Sequence, residues 1–151
     1  MKISTRGRYA VQLMLDLALH AGEGPIPLKD VVRRRQIGGS YLESIVKQLA
    51  RAGLVRSMRG AGGGYWLSGR PEDYTVGDIL RQMEGQLAPV HCDNVESCGR
   101  VCMRADECVT MEVWEQIHDA ISDVVDNITL ADLMNRYHEK NRQRQNQSEP
   151  A

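Results

Sequence analysis

"SYLESIVKQLARAGLVRSMRGAGGGYWL", residues 40–67, changes its period partway along, and that change decides the fold. In the first half Leu42, Ile45, Val46 and Leu49 recur at i, i+3, i+4 and i+7, the spacing of one apolar helix face. Ser40, Glu43, Ser44, Lys47 and Arg51 fall on the opposite, polar face, and Gly53 stops the helix. Ser40 and Glu43 match the S-x-x-E capping box, which places the helix start at Ser40. From Leu54 onward apolar and polar residues alternate around a glycine-rich tip at 59–64. Alternation of that kind predicts two short strands of a β-hairpin.

Upstream, "RYAVQLMLDLALHA" (8–21) carries Ala10, Leu13, Met14, Leu17 and Ala21 on one helical stripe. "GEGP" breaks it, and "PLKDVVRRRQI" supports a short second helix with Leu28, Val31 and Val32 as its apolar side. The Gly38–Gly39 pair is expected to end that helix. Downstream, Thr75 and Asp78 cap a short helix in "TVGDILRQMEG". A long amphipathic helix is expected from about residue 109 to 127. Its apolar stripe is Val113, Trp114, Ile117, Ile121, Val124, Val125 and Ile128, with acidic residues on the other side. Thr129 and Asp132 cap a last short helix, and "NRQRQNQSEPA" reads as a disordered polar tail.

At 151 residues the chain is one small domain with an appendage. The start lacks the apolar run of a signal peptide, and "VQLMLDLALHA" is interrupted by Asp16 and far too short to span a membrane. A cytoplasmic protein is expected. The net charge of −1 conceals an asymmetry: residues 1–70 hold 12 Lys and Arg against 4 Asp and Glu, and residues 71–151 hold 7 against 16. A basic half joined to an acidic half suggests a polyanion-binding module attached to something else.

Helix, helix, turn, helix and hairpin in that order describe a winged helix-turn-helix, a mainly α fold with a small β-hairpin wing. In such a fold the third helix offers its polar face to the DNA major groove. The glycine-rich tip lets backbone and Arg59 approach phosphates or the minor groove. The same architecture also serves as a protein-interaction module, which remains an alternative.

"MKISTRGRYA", "SYLE" at 40–43, "AGLVRSMRGAGGGYWL" at 52–67 and "NITLADL" at 127–133 resemble the Rrf-two (BadM) family of bacterial transcription regulators. The resemblance covers residues 1 to about 138, and "RGAGGGY" directly after the third helix is its most specific mark. It implies a homodimer on double-stranded promoter DNA, with the long C-terminal helix pairing across a twofold axis. Ser40, Tyr41 and Glu43 match the family's base-reading helix and Arg59 its wing arginine; Ser44 and Lys47 on the same face complete the expected DNA-binding set. The implied organisation is a DNA-binding domain over 1–84, a cysteine-rich sensor loop over 85–110, a dimerisation region over 111–138 and a tail over 139–151.

All four cysteines lie in "HCDNVESCGRVCMRADECVTM", residues 91–111, a stretch too polar to bury them for packing. In a reducing compartment such a group favours metal or redox chemistry over structural disulfides. Cys92, Cys98 and Cys108 match the three cysteines of the family's cluster-binding members, whereas its cysteine-metabolism regulators lack the set. The histidine that follows in the cluster-binding members is here Met111, and Cys102 is an additional thiol. A thioether replaces imidazole poorly, so Cys102 is the expected fourth ligand of a two-iron or four-iron cluster. His91 adjoins Cys92 too closely to reach the same metal comfortably.

Zinc is a rival, although of the gaps of 5, 3 and 5 residues only the middle one suits a structural zinc hairpin. Reactive thiols that pair on oxidation, with no cofactor, are another. A cluster-free regulator acting through an enzyme partner from cysteine or iron–sulfur metabolism is a further alternative. Trp114, His118, Met103 and Met111 read as packing or interface residues, and His20 and His138 carry no pattern. No catalytic motif is present, which leaves an enzyme as the weakest class.

Overall fold

The computed structural model describes residues 3–22, 24–88, 90 and 107–148. Helix α1 (Thr5–Leu19) starts at Ser4, whose hydroxyl accepts from the backbone N–H groups of Arg6 and Gly7 at 3.1 and 3.3 Å. Its stripe of Ala10, Leu13, Met14 and Leu17 is buried, while Ala21 lies beyond the helix end and is exposed. Helix α2 (Leu28–Arg35) and helix α3 (Gly39–Arg51) pack on α1, and Leu42, Ile45, Val46 and Leu49 of α3 are fully buried. Each such side chain stabilises the fold by about 1.5–3 kcal/mol relative to exposure.

Two expected boundaries differ. Helix α2 ends earlier than the glycine pair, at Gln36, which adopts a left-handed conformation with φ 53°. The glycines instead open α3: Gly38 is its N-cap, and no side chain caps the helix. Ser40 and Glu43 therefore lie inside the helix and form no capping box. The Glu43 carboxylate reaches forward to Lys47 Nζ at 2.7 Å. Residues three apart face one another anywhere along a helix, so a box-like spacing recurs inside it.

The hairpin is β1 (Val55–Met58) paired antiparallel with β2 (Gly64–Leu67), in the register Val55 to Leu67 and Met58 to Gly64. Ile26 covers the other edge of β2, exchanging two backbone hydrogen bonds of 2.9 Å with Tyr65. The wing is thus tied to the chain entering α2. A 3₁₀ turn (Pro71–Asp73) leads to helix α4 (Val76–Glu84), which starts in the expected Thr75–Asp78 capping box.

Helix α5 (Met111–Asp126) is the long amphipathic helix. It joins α6 (Leu130–Ser148) through the Thr129–Asp132 cap, and Leu130 N donates to Tyr74 O at 3.0 Å. Helix α6 runs on to Ser148, through most of the stretch expected to be a disordered tail. Arg, Gln and Lys favour helix, and no Gly or Pro interrupts Leu130–Ser148. Among the described residues no helix is long and apolar enough to cross a membrane.

Asp16, the acidic break in α1, is 1% exposed in the core. It accepts from Arg34 Nε (3.2 and 3.1 Å), Arg34 Nη2 (2.5 Å) and Arg35 Nε (2.8 Å), while His20 Nδ1 lies 2.8 Å from its backbone oxygen. The carboxylate clamps α2 onto α1. Two arginines of the basic half are therefore engaged inside the fold.

Candidate nucleic-acid interface and cysteine segment

Burying one face of α3 forces the other outward. Ser40, Tyr41, Glu43, Ser44 and Lys47, all five of the helix residues expected to read DNA, are exposed on one surface. Arg59 is exposed at the hairpin tip. A cleft of about 830 Å³ separates α3 from the wing, with Lys29, Lys47, Arg51 and Arg59 among its lining residues. Four cations around one open cleft match a phosphate-bearing partner in charge. The fold thereby collects on one side basic residues from α2, α3 and the hairpin tip.

Within the surface, the hydrogen bond from Lys47 and then its charge hold the Glu43 carboxyl below its ordinary range. Glu43 is therefore ionised, and to accept from a base edge it must share or release Lys47. The Ser44 hydroxyl donates to Tyr41 O at 2.7 Å. The Tyr41 ring meets Tyr9 of α1 edge-on, with centroids 5.9 Å apart, and the Arg8 guanidinium lies 5.3 Å from the Tyr9 centroid. Sequence reasoning missed Arg8 and Tyr9 at this face. A contact between Tyr9 of α1 and Tyr41 of α3 leaves no local spacing to find.

Of the cysteines, Cys92, Cys98 and Cys102 lie outside the described residues, as do His91 and Met103. Cys108 is half-buried in the turn just before α5, where Met111 N donates to Cys108 O at 2.9 Å. Its Sγ lies 3.2 Å from Thr110 Oγ1, and that hydroxyl is the main cause holding the thiol below its ordinary pKa. A thiol that ionises easily suits a metal ligand, because the thiolate is the form that binds. Met111 is half-buried at the first turn of α5.

The apolar stripe of α5 is divided between two surfaces. Val125 is buried against Leu80 and Leu87, with Ile121 packed beside it, so these two serve the protein's own fold. Val113, Ile117 and Val124 remain 49%, 38% and 59% exposed, and Ile3 of the N-terminal segment shares a hollow with Ile117 and Val124. On the inner side, Asp126 receives Arg81 of α4 through two bonds of 2.6 and 2.8 Å. That bonding holds the Asp126 carboxyl below its usual range.

Residues 3–136 match the family model described as Rrf2, iron-dependent transcriptional regulator. Over 135 residues the chain is 41% identical to the HTH-type transcriptional regulator IscR of Pectobacterium atrosepticum, covering 89% of this chain and 80% of that protein. It is 42% identical to the HTH-type transcriptional regulator CymR of Bacillus subtilis, covering 88% and 89% of the two chains. Among solved structures, CymR, the global cysteine regulator of B. subtilis, superposes with a TM-score of 0.77 at 40% identity over 90% of this chain and 98% of that one. The structure of T. potens IscR gives 0.74 at 42% identity, covering 93% and 90%. With the winged helix-turn-helix observed and these matches spanning nearly all of the sequence, the chain belongs to the Rrf2 family of transcriptional regulators.

Proposed function

We propose that this regulator binds promoter DNA in the cytoplasm as a homodimer, and that its four cysteines hold an iron–sulfur cluster that sets its affinity for DNA. In this reading residues 1–84 bind DNA through Ser40, Tyr41, Glu43, Ser44, Lys47 and Arg59. Residues 85–110 sense, and residues 111–138 pair the subunits. Cys92, Cys98 and Cys108, with Cys102 as the fourth donor, are the ligands. The observation that carries the reading is the place of the cysteine segment. It joins α4, which packs on α1 and α3, to α5, whose outer apolar face is left exposed among the described residues. Ordering a segment at that junction would bias how two DNA-binding units are set relative to each other.

The first test is the iron, sulfide and zinc content and visible spectrum of protein purified without oxygen. Iron with equimolar sulfide is expected, lost in Cys92→Ala, Cys98→Ala and Cys108→Ala. Cys102→Ala is expected to lower cluster stability; a normal cluster there would assign the fourth bond elsewhere. Stoichiometric zinc without sulfide would overturn the reading. Metal-free protein whose thiols pair reversibly under peroxide would replace the cluster by a thiol switch.

The dimer has its own test. A twofold pair would set two α3 helices about 34 Å apart, one DNA turn. Ile117→Asp with Val124→Asp is expected to give folded monomers in sedimentation, with operator affinity at least tenfold weaker. Ile121 and Val125 pack on Leu80 and Leu87 of their own domain, so substituting them would disturb the fold as well as any interface. An unchanged dimer would move the interface off this face.

A further inference from the structure

The last turn of α4 touches each element that the proposed regulation must connect. On one side, Gln48 of α3 donates through Nε2 to the backbone oxygen of Gln82, and its Oε1 lies 3.5 Å from Arg6 Nη1 of α1. On another, Glu84 Oε1 accepts from Ser4 Oγ at 2.6 Å, Ser4 N at 3.2 Å and Gly7 N at 3.1 Å. This places a carboxylate on the N-terminus of α1, where the helix dipole favours negative charge. It requires glycine at position 7, because a Cβ there would run into the Glu84 carboxylate. One turn earlier Arg81 holds Asp126 of α5, and just beyond, Leu87 is buried against the α5 contact. At Gly85 the chain turns out of α4 with φ 79° toward the cysteine segment.

Gln48 lies on the half-buried flank of α3, beside the exposed Ser44 and Lys47. Its bond to Gln82 therefore meets the α3 face from behind. We propose that Gln48 and Glu84 are positioning residues: they fasten α3 and the start of α1 to the last turn of α4, so that any shift of α4 imposed from the cysteine segment re-aims the DNA-facing surface. By reciprocity, DNA that fixes the pose of α3 restrains the α4 end in turn. The link to the cysteine segment rests on the proposed function. The mechanical link between α3 and α4 does not.

The test is amide hydrogen exchange on the full-length, metal-free protein with and without saturating promoter duplex. In the wild type the duplex is expected to slow exchange of amides 82–88 at least threefold. Gln48→Glu keeps the size of the side chain and an acceptor for Arg6 but has no N–H to give Gln82. It is expected to lose that protection while still binding the duplex. Glu84→Ala is expected to lose it as well, whereas Glu84→Gln, which retains the Oε1 acceptor, restores it. Amides 82–88 that ignore the duplex, or a Gln48→Glu protein that protects them as the wild type does, would overturn the proposal. Direct shielding by DNA would give the second of these results. Because no metal is present, the outcome is independent of the cluster: a cluster-bearing protein without the relay and a cluster-free protein with it give different results.

Discussion

Asp16→Ala is expected to destabilise the protein by about 3–5 kcal/mol, as breaking a buried ion pair from one side does. Asp16 is 1% exposed and accepts four contacts from two guanidinium groups, all within 3.2 Å. Truncation removes the acceptor and leaves the positive charges of the α2 end packed on α1. The Arg34 and Arg35 side chains are 29% and 21% exposed, so water will offset part of the cost and bring it toward the lower figure. Asp16→Asn should fall between, since one carbonyl oxygen still accepts. Urea unfolding reads the loss as a lower midpoint at unchanged slope. A loss under about 1 kcal/mol would mean that the clamp is solvated and that α2 is held by Val31 and its neighbours alone. DNA affinity should drop with stability, because α2 supports α3 through their shared apolar contacts.

Gly64→Ala carries the second large effect. A Cβ at this position would stand 2.5 Å from the carbonyl carbon and oxygen of Ile26 and 2.7 Å from its nitrogen. Backbone atoms of a bridged strand cannot rotate aside as a side-chain tip does. The added methyl must push Ile26 off β2 and stretch the two hydrogen bonds that Ile26 shares with Tyr65. Overpacking together with the weakened bonds predicts a loss of about 2–4 kcal/mol. The displaced hairpin would carry Arg59 with it, so duplex affinity should fall beyond what unfolding explains. Gly62→Ala is the matched control: nothing lies within 4 Å of its added carbon, and its stability should stay within about 0.5 kcal/mol of wild type. Thermal unfolding of the two variants side by side decides the matter, and equal midpoints would show that the wing yields freely.

The glycine run therefore contains positions with unlike duties, and only their neighbours distinguish them. Gly60 turns the chain with φ 109°, Gly64 lets Ile26 approach, and Gly62 faces open space. In the sequence all three read alike, as a flexible tip. The same holds for α3. Its apolar face was legible at once, because four residues at helical spacing can be buried together only on a helix. Its start was not, because Gly38 and Gly39 carry no side chain to announce a cap.

By itself the sequence determined what repeats locally: the period of α1, α3 and α5, the switch to alternation at the hairpin, the capping of α4 by Thr75 and Asp78, and the gathering of four cysteines in one polar stretch. Each is a relation among residues a few positions apart, where backbone geometry alone dictates who faces whom. The tertiary structure decided everything that depends on partners far along the chain. It buried Val125 of the α5 stripe and left Ile117 and Val124 outside. It spent Arg34 and Arg35 on a buried carboxylate instead of the surface. It set Glu84 on the first turn of α1, eighty residues away. A helix stripe is wide enough to serve two surfaces, and a charge is satisfied by whichever opposite charge the packing brings within about 3 Å; neither outcome has a spacing that a sequence can display.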